Sequence, residues 1–203
     1  MKKPNNYEET KAQGEYIPVE LGGHKMVIKQ VSEKQSKKGK PMIVVLFDFA
    51  QDDNQPGYFS QQFADDIRPE KKWPNQATQY ILVEDEKGNT SRSFKTFCTC
   101  VENSNKGFSC WKPDDTFNFQ GIKNKKVGGV FGPQMDYYNG QELSKRVLRW
   151  FTSIDKVVDA SVPEMTETQA YKNHIQGYAP GSTPAGDGFM NIPDGIDEEL
   201  PFN

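Results

Sequence analysis

"HKMVIKQVSEKQSKKGKPMIVVLFDFAQD", residues 24–52, is the stretch on which the fold turns. From His24 to Val31 apolar residues are mixed with Lys25 and Lys29. From Pro41 to Ala50 the run is apolar and rich in Val, Ile and Phe. Branched and aromatic side chains suit a pleated surface, and the run is short and follows a Gly-Lys-Pro turn. Between the two runs lies "SEKQSKKGK", with Gly39 as the turn residue. The pattern predicts strand, loop, strand: a β-hairpin. It also gathers Lys34, Lys37, Lys38 and Lys40 on one loop.

Outward from this hairpin the signals weaken. Residues 1–15 are polar and are expected to be a flexible arm. Residues 51–77 are polar and irregular, interrupted by Tyr58, Phe59, Phe63 and Trp73. "TQYILVEDEKGN" reads as a short strand running into a turn. "SRSFKTFCTCVENSN" offers Ser91 as a helix cap, then Phe94, Phe97, Cys98 and Val101 on one helical stripe. "FNFQGIKNKKVGGVFG" alternates but contains Gly128 and Gly129, which suggests a bulge or bend in a strand. "PQMDYYNGQ" is predicted to be a loop with an Asn-Gly turn, and "ELSKRVLRWFTSIDKVV" a last long strand. Beyond Asp159 the chain is rich in Pro, Gly, Ser, Thr and acids, with a weak helical pattern over 165–176. Five strands with one helix between the third and fourth give the expected fold: a mostly β, five-stranded OB-fold barrel over 16–160, followed by a disordered acidic tail over 161–203.

Composition narrows the function. The chain has 203 residues, 34% hydrophobic and 26% charged, which suits one domain with polar extensions. It contains no apolar run long enough to span a membrane, and its N-terminus lacks a secretory core, so a cytoplasmic location is expected. Cys98, Cys100 and Cys110 do not have zinc spacing, and an odd count argues against a disulfide scaffold. The net charge of −3 is uneven: residues 1–156 carry +4 and residues 157–203 carry −7. A mildly basic body with an acidic tail points to an anionic partner.

Catalysis finds no constellation. "KVGGVFGP" lacks the Gly-Lys-Ser/Thr of a phosphate loop. Pro113-Asp114 and Asp85–Lys87 stand in the wrong order for a metal-dependent nuclease. A non-enzymatic protein without cofactor or metal is expected. Binding of a single strand needs cations that follow phosphates and flat rings that stack bases. Lys34, Lys37, Lys38, Lys40, Arg146 and Arg149 supply the first. Tyr58, Trp73, Tyr137, Tyr138 and Trp150 supply the second, with Phe47 and Phe49 as further candidates on the second strand. Strict alternation places Arg146 and Trp150 on one face of the last strand and Lys145 and Arg149 on the other.

The hairpin, "FKTFCTCVENSN" and "VGGVFG…YNGQE…RVLRWF" together resemble the single-stranded-DNA-binding proteins of phages and mobile elements of Gram-positive bacteria. That resemblance covers residues 16–160 and implies DNA binding with little sequence preference, in replication or recombination inside a bacterial cell. The end of the chain, Asp194, Asp197, Glu198, Glu199, Leu200, Pro201 and Phe202, resembles the acidic tail of bacterial single-strand-binding proteins. In that family the tail recruits replication and recombination proteins and its last Phe carries the α-carboxylate. Here Asn203 follows. The alternative is a protein-interaction module or minor virion component that uses the same barrel without nucleic acid. A homo-oligomer is compatible with either reading.

Overall fold

The predicted hairpin forms two antiparallel strands, β1 (Gly22–Gln35) and β2 (Pro41–Phe49). The computed structural model describes residues 2–4, 7 and 17–177. Ile28 faces Phe47 and Val31 faces Val45, so these side chains share one surface and build the core. A bulge between Ile28 and Gln30 inserts Lys29 into β1 and bends it. The first half of β1 pairs with β4 (Lys126–Tyr138), from Gly22 opposite Phe131 to Val27 opposite Lys126. On the far side of β2 lies β3 (Thr78–Leu82), and β4 continues into β5 (Gln141–Thr152). The sheet runs β3-β2-β1-β4-β5, with a two-residue β6 (Thr166–Glu167) parallel to β4.

The protein is therefore mostly β, with three α-helices among the described residues: α1 (Tyr58–Asp65), α2 (Arg92–Ser104) and α3 (Gln169–Gly177). The expectation of a closed five-stranded barrel with one helix needs correction, because among the described residues no ladder joins β3 to β5 and the sheet stays open. The reason is local. β3 has five residues and is preceded by a 3-10 turn at Asn75–Ala77, so its backbone does not continue alongside β5. Side chains bridge the gap instead. The Gln76 amide donates to the Arg146 carbonyl, and the Arg146 guanidinium donates to the Val19 carbonyl. Lower down, Phe97 of α2 meets Phe151 of β5 at 4.9 Å between ring centres.

α2 follows its sequence signature. The Ser91 hydroxyl accepts the Phe94 amide at 3.1 Å, and Phe94, Phe97, Cys98 and Val101 are buried. α1 has no capping side chain of its own. The buried Asp48 carboxylate of β2 takes that role, accepting the Phe59 and Ser60 amides at 2.9 and 3.3 Å and the Ser60 hydroxyl.

The glycines of "KVGGVFG" make room for a strap. After β5 the chain turns back across the outside of β1 and β4. A Cβ on Gly128 would lie 2.6 Å from a Val157 methyl, and one on Gly23 or Gly132 would collide with Val157 or Pro163. The strap leads to β6 and α3, so residues 166–177, which the sequence places in the tail, form a strand and a helix beside β4. The acidic end, residues 194–202, lies outside the described residues, as does most of the 1–15 arm.

Candidate nucleic-acid interface

Pleating decides what the outer side of the hairpin offers. Ile43, Val45, Phe47 and Phe49 point inward, so Met42, Val44 and Leu46 point outward. The register then fixes three outward rows: Lys34–Met42–Leu82, Ser32–Val44–Tyr80 and Gln30–Leu46–Thr78. Met42 and Val44 are only 4% and 6% exposed. Around them Lys34 is exposed and Ser32, Tyr80 and Leu82 are half-buried. The apolar surface this side presents therefore comes from the half-buried Leu46, Leu82 and Tyr80, with the exposed Lys34 across the hairpin on β1. Tyr80 is absent from the sequence-derived candidates. Its signal was present, because Ile81 inside the core forces Tyr80 outward.

The lysine loop is shorter than expected. β1 and β2 run on until only residues 36–40 remain as the turn. The Ser36 amide donates to Lys40 O at 2.9 Å, and Gly39 supplies the positive φ of 74°. Lys34 therefore sits on the strand, and Lys37 and Lys38 are exposed at the tip. Lys40 turns the other way, its Nζ donating to Asp85 O at 3.2 Å. That places it against the acidic turn Glu84–Glu86. There the Asn89 and Lys87 amides hold the Asp85 carboxyl below its ordinary range. The cationic strip along this edge is built on Lys34, Lys37 and Lys38.

The other predicted loop is not a loop. Tyr137 and Tyr138 end β4, and the turn is Asn139-Gly140 alone, with φ of 49° and 78°. Tyr138 is 41% exposed. Tyr137 is half-buried, and its ring stacks on His174 of α3 at 3.7 Å with planes 12° apart. Beneath it the Asp136 carboxylate meets Lys145 Nζ at 2.7 Å and Thr168 Oγ1 at 2.6 Å. Partial burial pushes the Asp136 pKa up, but these two partners outweigh it and the net shift is downward.

Several candidates move to other roles. Phe47 and Phe49 are 0% and 1% exposed and cannot stack a base; they face inward because β2 alternates about Asp48. Trp73 is half-buried against the core, its indole N–H donating to Phe47 O at 3.2 Å, just before β3 begins opposite Leu46. Tyr58 is half-buried at the start of α1, 5.0 Å from the Phe59 ring. The expected pairing of Arg146 with Trp150 on one face fails. A bulge in the β4–β5 ladder sets Trp150 opposite Val130 and Arg146 opposite Pro133, which lie on opposite faces of β4. Arg146 points into the gap toward Val19, and Arg149 donates to the Thr166 hydroxyl. Trp150 remains 46% exposed, on the outside of β5.

The residues considered for metal chemistry are each occupied locally. Asp85 closes its turn onto Lys87 and Asn89, and Asp114 closes its turn onto Thr116. Among the described residues no three His, Cys, Asp or Glu converge on one point. Comparison of the chain with protein-family models and with curated proteins finds no match.

Proposed function

We propose that this protein binds single-stranded DNA, with little sequence preference and without catalysing a reaction, across the outer side of β1, β2 and β3. The observation that carries the reading is the register that sets Lys34, Ser32, Val44 and Tyr80 on one outward surface, with Lys37 and Lys38 at its rim. Bases need an apolar or aromatic floor, and phosphates need cations at its margin. The strand order supports the same conclusion. An OB barrel joins five strands in the cycle 1-2-3-5-4, and β3-β2-β1-β4-β5 is that cycle with the β3–β5 junction open. OB-folds bind oligonucleotides on the face of strands 2 and 3, framed by the 1–2 and 4–5 connections. Here the 1–2 connection carries Lys37 and Lys38, and Tyr138 ends β4 beside the 4–5 turn. The resemblance to phage and mobile-element single-strand-binding proteins points the same way. On that reading the acidic end at 194–202 is a handle for replication or recombination proteins.

The test is a titration of labelled oligo(dT) and of duplex DNA at two salt concentrations, with and without Mg²⁺. Salt-sensitive retention of the single strand, intact in both conditions, supports the reading. Absence of retention favours a protein-interaction module, and Mg²⁺-dependent loss of substrate an enzyme.

A further inference from the structure

The stack of His174 on Tyr137 has the geometry that a base would adopt on the same ring. The rings are 3.7 Å apart and 12° from parallel, and imidazole is a flat nitrogen heterocycle like half of a purine. We infer that Tyr137 is a base-stacking position held shut by the protein's own His174, and that single-stranded DNA opens it by displacing α3 from β4. This rests on the single-strand-binding reading above.

The latch is lightly built. No residue of α3 is fully buried, although the His174 side chain is only 14% exposed, and β6, which leads into it, pairs with β4 over two residues only. Among the interactions that hold the segment is the bond from the Arg149 guanidinium to the Thr166 hydroxyl of β6. Thr168 donates its amide to Met135 O at 2.9 Å and its hydroxyl to Asp136 at 2.6 Å. The His174 Nε2 lies 3.4 Å from the Glu142 carboxylate. A segment with no fully buried residue opens at smaller cost than the elements of the core. The neighbouring Tyr138 is exposed at the same end of β4 but, as the next residue of the strand, points to its other face, so Tyr137 is the ring that α3 covers. Base and imidazole compete for the same phenol face. The affinity measured for wild type is therefore reduced by the fraction of molecules in which the face is covered.

The competition is read with fluorescently labelled oligo(dT) on the full chain. His174→Ala should bind it roughly three- to tenfold more tightly than wild type, the factor a single ring stack is worth. His174→Phe keeps a flat ring in place and should return affinity to the wild-type level. In a Tyr137→Ala background the His174→Ala gain should vanish, since no ring remains to uncover. Hydrogen exchange supplies a readout that needs no substitution: amides of residues 169–177 should exchange faster when wild type is saturated with oligo(dT). Unchanged affinity in His174→Ala, together with unchanged exchange at 169–177, overturns the latch while leaving DNA binding standing. If wild type retains no oligo(dT) at all, the binding reading falls and the latch falls with it.

Discussion

Tyr80 is the residue on which the proposed face depends most. It is the aromatic ring of the central outward row, level with Val44 and Ser32. Tyr80→Ala is expected to weaken oligo(dT) binding by about 1–3 kcal/mol, the usual worth of a stacked base, with the melting temperature little changed. Fluorescence anisotropy reads the first and calorimetry the second. A different residue contributes to acid stability. Asp53 accepts His24 Nδ1 at 2.9 Å and the Lys25 amide at 2.7 Å, while the buried His24 ring stacks on Phe49 and its Nε2 meets Glu20 O at 3.0 Å. Burial pushes the Asp53 pKa up, but His24 and the Gln55 and Lys25 amides outweigh it, so the folded value lies below the unfolded one. Its stabilising contribution is therefore complete above the unfolded pKa of about 3.9 and is lost as pH falls through the folded value. Asp53→Asn should make urea stability less dependent on pH in that acid range; an unchanged pH slope would remove Asp53 from the account.

At the scale of elements, the turn after β1 and the strap behind β4 make separable predictions. Lys34, Lys37 and Lys38 are exposed and are the cations the proposed interface assigns to phosphates; the Lys40 Nζ donates to Asp85 O. Replacing the first three with Ala should lower the log–log salt slope by about 0.7 for every phosphate no longer neutralised. Lys40→Ala alone should leave the slope near its wild-type value. Gly128→Val places a side chain where Val157, Thr152 and Ser153 O already sit, so denaturant unfolding should show a loss of about 1–3 kcal/mol, as for overpacked cores. The same elements show what a single chain discloses. The hairpin, α2 with its Ser91 cap and the Asn139-Gly140 turn are legible, because periodicity, caps and turn residues are local signals. Two bulges are not. One inserts Lys29 into β1, and the other separates Arg146 from Trp150. A bulge is set by the partner strand, and alternation read along one strand alone runs straight through it.

At the scale of the whole molecule, strands and helices follow from neighbours in sequence, but closure and the path of the strap depend on distant partners. The gap between β3 and β5 is bridged by Gln76, Arg146 and Val19, residues from three separate segments, and no local pattern announces that. Among the described residues no helix is long and apolar enough to cross a membrane. The acidic end belongs to this scale too. Removing residues 187–203 takes away five acids and no base. If those acids shield the lysine turn, oligo(dT) affinity should rise on truncation, more at low salt than at high salt, and the melting temperature should hold. Lower affinity after truncation would make the segment part of the DNA site. The central claim, that a single strand lies across the outer side of β1, β2 and β3, is tested most directly by photo-cross-linking with an oligonucleotide of 4-thiothymidine and mapping the modified peptides. The account predicts adducts in the β3 peptide containing Tyr80 and in the β4 peptide containing Tyr138. Adducts confined to the strap at 153–165 or to the Trp111 loop, with none on β3, would contradict it.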